Sequence, residues 1–366
     1  MEPGYEAKGI SLKQYKIAVI ALLKPSQVKY KITPLLRSEM VSELFLFRKT
    51  SFHSSEDKLK QFVLPSFMSY KCFYWTLTPF YIAFKLRDKD IDLLLTYRFI
   101  PHTYYTWVVS KLINKPFIYS QIDQDVVSLH KTIYGRFFVE SILHNAIRIN
   151  VPGSRSLGYW QKVFPYKTIN ILHSTIDTSE FKPIETELLY DVIYVGVLTD
   201  LKRVMLLIQA IEFIASQSAN VRFAIVGYGP LENDLKAYVR EKDISENVVF
   251  LGKKVVDAKL LCRAKIFVMA SSSEGLPCAL MEAMACELLC VSTDVGNVGD
   301  LIIDGKTGFL FREPNPQRMG EVLLSLLKDY PQLRFVRKAA REHIDNHQSF
   351  TSATAKWDKL LSEISL

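Results

Sequence analysis

The sequence has 366 residues, which is enough for two domains of ordinary size. Hydrophobic residues make up 49% of it and charged residues 23%, proportions that are typical of a soluble globular protein. No apolar run approaches the roughly 20 residues of a membrane span. The N-terminal stretch MEPGYEAKGISLKQYK lacks the apolar core of a signal peptide, so we expect a cytoplasmic protein.

The charge is unevenly distributed along the chain. The net charge is +8, but residues 1–183 contain 25 Lys and Arg against 14 Asp and Glu, whereas residues 184–366 contain 21 against 24. A basic first half suggests an anionic partner such as membrane lipid, a phosphorylated acceptor or nucleic acid, although a generally solvated surface would also explain it.

The number and spacing of the cysteines indicate neither a metal site nor a disulfide framework. They are odd in number and show no CxxC spacing. We therefore expect ordinary buried thiols at all five positions, which are Cys72, Cys262, Cys278, Cys286 and Cys290.

Short apolar runs that are typical of strands alternate with helical segments along the whole chain. In the first half the predicted strands are KIAVIALL (16–23), ELFLFR (43–48), DLLLTY (92–97), FIYSQ (117–121), IRINV (147–151) and TINIL (168–172), with helices such as 103–113 and 154–163 between them. In the second half they are DVIYVG (191–196), RFAIVG (222–227), VVFLG (248–252), KIFVMA (265–270), LLCVST (288–293) and TGFLF (307–311), with helices over 204–216, 231–242, 277–287 and 316–328.

This alternation predicts an α/β protein with two parallel sheets. The two blocks meet in the polar stretch DTSEFKPIETELLYD (177–191), which we take as the domain boundary. Because open parallel sheets bind ligands beyond the carboxyl ends of their strands, the cleft between two such sheets is the expected site.

The stretch SSSEGLPCALMEAMA (271–285) joins a predicted strand to a predicted helix. Pro277 fits the first helical turn, which places Glu274 in the loop and Glu282 in the helix. A helix N-terminus suits a phosphate, Gly275 permits close approach of the backbone, and carboxylates accept hydrogen bonds from sugar hydroxyls. The segment therefore fits a ligand with both phosphate and sugar groups, although Glu282 alone could be a solvent-facing helix residue.

Further candidate residues follow other strands. Gly196 ends one strand and Lys202 lies shortly after it, where a cation could neutralise a diphosphate or simply be solvated. Gly227 and Gly229 follow the next strand, in a Gly-x-Gly-Pro pattern that suits either close ligand approach or a turn. Residues 294–297 (DVGN) could line the same crevice.

The second half resembles the donor domain of retaining glycosyltransferase family 4. The matching stretches occur in family order and are VGVLTDLKRVMLLIQAI (195–211), FAIVGYGPLENDLKAY (223–238), NVVFLGK (247–253), ASSSEGLPCALMEAMA (270–285) and DVGNVGDLIIDGKTGFLF (294–311). ILHSTIDTSEFKP (171–183) resembles the segment between the domains, and FTSATAKWDKLLSEI (350–364) resembles the final helix, which returns to the first domain.

The resemblance implies a GT-B fold, in which two Rossmann-like domains face each other across a cleft. Residues 1–183, with the returning helix 350–366, would bind the acceptor, and residues 184–349 would bind the nucleotide-sugar donor. The implied activity is retaining, metal-independent and cofactor-free sugar transfer to a glycan or lipid-linked acceptor, in polysaccharide or cell-envelope biosynthesis. The implied partners include no nucleic acid.

The resemblance also implies residue roles. Glu274 would meet the donor-sugar hydroxyls and Glu282 the nucleotide ribose. Lys202, with the amides around Gly275 and Leu276, would hold the diphosphate, and Lys202 and Glu274 would be the catalytic pair. Stabilised charge on the departing diphosphate makes a metal ion unnecessary. The full donor-binding set is Gly196, Lys202, Arg203, Gly227, Gly229, Glu274, Gly275, Leu276 and Glu282.

The sequence departs from the family pattern at three places. Family members often have an arginine shortly after the glycine of the first donor strand. Here Val197 directly follows that glycine, and Arg203 is a possible substitute. LLKPSQVKYK (22–31) replaces the common Gly-Gly loop, and QIDQD (121–125) replaces a frequent histidine. His102 and Asp123 are then the candidates on the acceptor side, or else structural polar residues.

Four alternatives remain open. Asp123 and Asp125 could bind a metal ion, as in glycosyltransferases of another fold. The chain could bind a nucleotide-sugar without transferring it, or, from its basic first half alone, bind nucleic acid. KCFYWTLTPFYIAFKLR (71–87) could contact an anionic membrane face peripherally, at the inner face of the membrane, or form a core helix interrupted by proline.

Overall fold

A computed structural model describes residues 13–23, 25–51, 56–66, 71–122, 124–217, 220–313 and 315–364. Its contacts divide the chain into two compact units. The first comprises residues up to 120 together with 133–149 and 354–366, and the second comprises 121–132 and 150–353. The predicted domain boundary at residue 183 stays a prediction.

The first seven strands form one sheet in the order β3-β2-β1-β4-β5-β6-β7. They are β1 (Tyr15–Ile20), β2 (Val41–Arg48), β3 (Leu59–Val63), β4 (Leu93–Tyr97), β5 (Phe117–Ser120), β6 (Arg148–Val151) and β7 (Ile169–Ile171). β1 pairs in parallel with β2 and β4, β2 with β3, and β4 with β5. The helices of this part are α1 (Pro25–Arg37), α2 (Lys71–Leu86), α3 (Tyr104–Ile113), α4 (Asp125–His130), α5 (Ile133–Leu143) and α6 (Ser154–Val163).

The second sheet has six strands in the order β10-β9-β8-β11-β12-β13, and every neighbouring pair is parallel. The strands are β8 (Tyr190–Val195), β9 (Phe223–Val226), β10 (Val248–Gly252), β11 (Ala264–Met269), β12 (Leu289–Thr293) and β13 (Phe309–Phe311). The helices are α7 (Val204–Ser216), α8 (Glu232–Glu241), α9 (Ala258–Leu261), α10 (Cys278–Ala285), α11 (Pro316–Lys328), α12 (Arg334–His347) and α13 (Phe350–Ser362).

The second sheet is buried on both faces, which explains its continuously apolar strands. Along β11, Ile266 and Val268 belong to one hydrophobic core, and Phe267 and Met269 belong to another on the opposite face. The first core includes residues of α7 and α11, and the second includes residues of α10 and α12. The prediction of an α/β protein with two parallel sheets is confirmed, and each predicted strand segment contains a strand.

β3 was missed because its sequence, LKQFV, has no apolar run. It is partly exposed and pairs with β2 at the edge of the first sheet. The segment 71–87 forms α2, which contains Pro79 and has one buried face with Ile82 and Leu86 and one exposed face with Phe80 and Phe84. Among the described residues, no helix combines the length and apolar character needed to cross a membrane.

The C-terminal helix α13 ends within the first unit. The hydroxyl of the buried Tyr15 side chain, on β1, donates to the carbonyl oxygens of Leu361 and Ile364, each at 3.1 Å. Ser38 also hydrogen-bonds to Asp358. These bonds hold the end of the chain against the first strand of the sheet.

The cysteine prediction is only partly correct. Cys286 and Cys290 are buried, but Cys262 is partly exposed and Cys278 is exposed. Cys278 is the first residue of α10 and lies on its solvent side, which the sequence pattern did not reveal. The side chain of Cys72 lies outside what the structure describes.

Candidate functional site

The strand order of the second sheet defines where a ligand can enter. β8 and β11 are neighbours, but the chain continues from β8 toward β9 on one side and from β11 toward β12 on the other. The loops that follow these two strands therefore diverge and leave a crevice at their carboxyl ends. The loops are residues 196–203 and 270–277, and they contain Lys202 and Glu274.

An ion pair connects the two loops. Lys202 Nζ lies 2.5 Å from Glu274 Oε1, and the side chains are 27% and 9% exposed. The backbone strengthens the connection, since the Ser272 N–H donates to the Leu201 carbonyl at 2.8 Å. Because the carboxylate is nearly buried, loss of Lys202 would leave its charge without a partner in the folded protein.

Tyr194 lies close enough to Glu274 to feel its charge and was not identified from the sequence. Its ring is buried at the end of β8, and its hydroxyl donates to the Val197 carbonyl at 3.1 Å. Burial raises the pKa of Tyr194, and the negative charge of Glu274 raises it further. The phenol therefore stays protonated. The sequence pattern predicts that a tyrosine in an apolar strand is a core residue. Only the folded structure shows that Tyr194 also lies near Glu274.

Two amide groups complete the crevice. Within the described part of the chain, the amide N–H groups of Gly275 and Leu276 make no hydrogen bond. They precede α10, whose N-terminus carries partial positive charge. Pro277 has an extended conformation just before the helix, so its predicted place in the first helical turn is wrong by one residue. The crevice thus combines a lysine, two amide donors and a carboxylate.

Glycines allow the backbone of the loop after β9 to pack directly against the backbone of the loop after β8. A Cβ atom on Gly227 would lie 1.8 Å from the Gly196 carbonyl oxygen, and one on Gly229 would lie 2.3 Å from the Leu198 carbonyl oxygen. A Cβ on Gly196 would meet the Tyr194 hydroxyl at 2.5 Å. The backbone contacts by themselves require glycine at 227 and 229, whereas a side chain at 196 would displace the Tyr194 hydroxyl. The contact of all three glycines with a donor stays a prediction.

Arg203 lies apart from this packing. It is exposed, and its backbone has a left-handed conformation at the start of α7. Its role as a substitute for the family's arginine stays a prediction.

A second loop supports the backbone of Glu274. Gly296 has a φ of +55°, and a Cβ there would lie 1.8 Å from the Glu274 carbonyl oxygen. The Asn297 N–H donates to the Gly275 carbonyl at 3.2 Å. Residues 294–297, suggested by the sequence as part of the crevice, therefore lie directly against the Glu274 loop.

The N-terminus of α6 holds this supporting loop. Asp300 accepts from the backbone N–H of Ser154 at 2.6 Å and from its hydroxyl at 2.5 Å. The buried side chain of Asn297 donates to the Ser156 hydroxyl at 3.0 Å. Arg155 Nη2 lies 2.6 Å from Asp294 Oδ1. These polar contacts join segments far apart in sequence, and no local motif predicted them.

Glu282 lies on α10, between the buried residues Met281 and Ala283. Burial raises the pKa of Glu282 to about 7. Its carboxyl group therefore changes charge near neutral pH, whereas an ordinary glutamate is fully ionised there. Glu282 is partly buried rather than fully exposed, and its contact with a ribose stays a prediction.

The acceptor-side candidates lie elsewhere. His102 is buried in the first unit, and its Nδ1 donates to the Tyr97 carbonyl at 2.6 Å. Burial, assisted by the nearby cations Arg98 and Lys49, lowers the pKa of His102 to about 4, so the imidazole is neutral at neutral pH. Asp123 lies outside the described residues. Among the described residues, no group of three or more His, Cys, Asp or Glu could hold a metal ion.

Comparison with known proteins identifies the class of enzyme. Over 96% of the chain, the structure resembles HepE from Anabaena in complex with UDP and glucose, with a TM-score of 0.78, 14% identity and all of that chain covered. This likeness shows the fold. Residues 176–343 match the family model described as glycosyl transferases group 1, and this span includes Lys202, Glu274 and Glu282.

The chain is a GT-B glycosyltransferase. It is 26% identical over 275 residues to N-acetyl-alpha-D-glucosaminyl L-malate synthase from Bacillus anthracis, covering 70% of each protein. It is 28% identical over 236 residues to the amylovoran biosynthesis glycosyltransferase AmsK from Erwinia amylovora, covering 60% of this chain and 56% of AmsK. The family predicted from the sequence motifs is confirmed at the level of GT-B glycosyltransferases.

The contact between Gly296 and Glu274 predicts the effect of a substitution in this glycosyltransferase. Gly296→Ala should lower the free energy of unfolding by more than about 2 kcal/mol, because the new Cβ overlaps the Glu274 carbonyl in addition to the left-handed strain. Urea unfolding of the variant and the wild type measures this loss of stability. Gly305→Ala is the matched control, since Gly305 has a φ of +73° but no described atom within 4 Å of the added Cβ. Equal losses in the two variants would contradict the contact.

The raised pKa of Glu282 predicts how stability depends on pH. An acid with a folded pKa of about 7 and an ordinary unfolded pKa favours folding less and less as pH rises from about 4.5 to about 7. Glu282→Gln removes this penalty, so its stability relative to the wild type should rise over that range by on the order of 1–3 kcal/mol. Urea unfolding from pH 5 to 8 tests this. A constant difference between the two proteins would refute it.

Proposed function

We propose that this glycosyltransferase moves a sugar from a nucleotide-sugar to a glycan or lipid-linked acceptor, with retention of anomeric configuration and without a metal ion or other cofactor. The observation that carries the proposal is the Lys202–Glu274 pair at the crevice between β8 and β11. It lies beside two amide donors and a helix N-terminus. This combination matches a donor that has both a diphosphate and hydroxyl groups.

The two charged residues have different tasks in the proposed complex. Lys202 is a compact cation that can pair with a diphosphate, assisted by the amides of Gly275 and Leu276. When Lys202 contacts the phosphates, Glu274 is available to accept hydrogen bonds from the sugar hydroxyls. In the proposed complex, the ion pair would already hold both side chains beside the donor.

Transfer breaks the bond between the anomeric carbon and the diphosphate oxygen and forms one to an acceptor oxygen, whose proton is released. Negative charge develops on the departing nucleoside diphosphate. Lys202, the two amides and the α10 N-terminus stabilise this charge, which is the task that a metal ion performs in other transferases. Glu282, ionised above its pKa of about 7, would accept from the ribose hydroxyls.

The similar proteins support this proposal. The name of AmsK refers to amylovoran biosynthesis, the name of the Bacillus anthracis relative describes a glucosaminyl product, and HepE was crystallised with UDP and glucose. We therefore place the reaction in polysaccharide or cell-envelope biosynthesis, at the cytoplasmic side of the membrane, with UDP-sugars as the first donors to test.

One observation favours the alternative, a nucleotide-sugar-binding protein without transferase activity. Val197 is exposed in the loop after β8, where family members often have an arginine nearby. A missing cation would weaken stabilisation of the leaving group more than binding of the donor. A thermal-shift screen against UDP-, GDP-, ADP- and CMP-sugars, followed by a transfer assay with the donor that binds, separates the two functions.

Substitutions of the ion pair test the site. Glu274→Ala should lower kcat/KM by roughly 100- to 1,000-fold, because contacts to the reacting sugar are lost while the fold is retained. Lys202→Ala should lower kcat and also weaken donor binding. Glu246→Ala and Lys254→Ala are the matched controls, because both residues are exposed and lie outside the two loops that the ion pair connects. Near-wild-type turnover in both site variants would refute the assignment.

The stereochemistry and the metal requirement are measured with the same assay. The anomeric configuration of the product, determined by proton NMR before it can equilibrate, should equal that of the donor. Treatment with EDTA should leave the initial rate unchanged, because Lys202 and the amides neutralise the leaving group. An inverted product would overturn the retaining assignment, and a rate restored only by a divalent cation would overturn metal independence.

A further inference from the structure

Exposed aromatic side chains are concentrated on two helices of the first unit. Nine Phe, Trp or Tyr residues are prominent among the exposed hydrophobics of the described chain, and six of them lie on α2 and α5. The six are Trp75, Phe80, Phe84, Tyr134, Phe137 and Phe138. Soluble surfaces expose single aromatics, but such a concentration marks an interaction surface.

Ring contacts connect these helices through α3. The Trp75 and Tyr104 rings lie 6.3 Å apart, and the Tyr104 and Phe138 rings lie 6.4 Å apart. Phe99 also packs edge-on against Phe138 at 5.8 Å. Ring contacts therefore join Trp75 on α2, Tyr104 on α3 and Phe138 on α5. We call the exposed and partly exposed aromatic side chains of these three helices the aromatic surface.

The two outer helices are amphipathic in the same way. On α2, Leu77, Phe80 and Phe84 lie on the exposed side, and the Arg87 guanidinium lies 5.2 Å from the Phe84 ring. On α5, Tyr134 and Phe137 are 89% and 71% exposed, whereas Val139 is buried on the opposite side. Each helix thus packs one face into the unit and turns aromatic rings toward solvent.

The charges around the aromatic surface are mostly positive. α2 and α3 contain Lys71, Lys85 and Lys111 but no Asp or Glu, and α5 contains Arg136 and Glu140. Positive charge opposes the docking of a second copy through the same surface, whereas it attracts an anionic one. Aromatic rings with flanking Lys and Arg are the residues that settle at the boundary between lipid headgroups and hydrocarbon.

We propose that the aromatic surface docks on a bilayer that contains anionic phospholipid, with the rings of α2 and α5 inserted at the headgroup level. The sequence pointed only to residues 71–87, and the structure adds α5. This inference rests on the proposed function, for which it selects the lipid-linked class of acceptor. A protein held at the membrane through its first unit meets a lipid-carried acceptor without extracting it from the bilayer.

Vesicle flotation with the full chain tests the proposal. The wild type should bind vesicles of phosphatidylcholine mixed with phosphatidylglycerol at least about tenfold more strongly than phosphatidylcholine alone, and added salt should weaken this binding. The double variant Tyr134→Ser/Phe137→Ser should bind the mixed vesicles roughly tenfold more weakly. The control Val255→Ser/Phe335→Ser removes similarly exposed side chains from the second unit and should bind like the wild type.

Three outcomes would overturn the proposal. The first is equal binding to both kinds of vesicle, and the second is unchanged binding of the Tyr134→Ser/Phe137→Ser variant. The third is a dimer in sedimentation velocity that this variant dissociates, since the surface would then join two copies. Failure of the proposed function is recognised by a separate measurement. In that case no nucleotide-sugar raises the melting temperature, irrespective of the result of vesicle flotation.

Discussion

The ion pair between Lys202 and Glu274 is the interaction on which the rest of the site depends. It joins the loops of two strands that are neighbours in the sheet but whose connections run in opposite directions. Removing one partner of a nearly buried ion pair would leave the other charge uncompensated. The pair therefore holds a cation and an anion together at the carboxyl ends of β8 and β11.

Several layers of packing hold this pair in place. Tyr194 hydrogen-bonds to the Val197 carbonyl in the loop that contains Lys202, and Gly296 allows a second loop to lie directly on the Glu274 carbonyl. The side chains of Asn297 and Asp300 fasten that loop to the start of α6. Transfer needs its charged groups held to within a fraction of an ångström, and a loop alone would not provide this.

The first unit contributes a different kind of chemistry. Its sheet resembles the second in strand order, but its helices present aromatic rings and cations to the outside. Its buried His102 is kept neutral by burial and by two cations. A basic, aromatic first unit accords with the proposed transferase, whose acceptor would be presented by a lipid surface.

The sequence by itself determined the class of fold and most of the strands, and its resemblance to a known family named Lys202 and Glu274 as a pair. Continuous apolar runs such as KIFVMA must be covered on both faces, and this alone requires parallel strands between helices. The structure brings Glu274 and Lys202 together because β8 and β11 are neighbours whose carboxyl ends lie at the same edge of the sheet. The partly exposed strand β3 was missed because LKQFV carries no such signal.

The tertiary structure decided what depends on contacts between distant segments. The pKa of Glu282 follows from how α10 is buried, and the need for glycine at 227 and 296 follows from carbonyl groups of other loops. The role of Tyr194, the Asn297 and Asp300 contacts and the exposure of α5 likewise depend on neighbours far away in sequence. A linear pattern records which residues are apolar, but only the folded chain decides which apolar residues remain exposed and which polar residues meet.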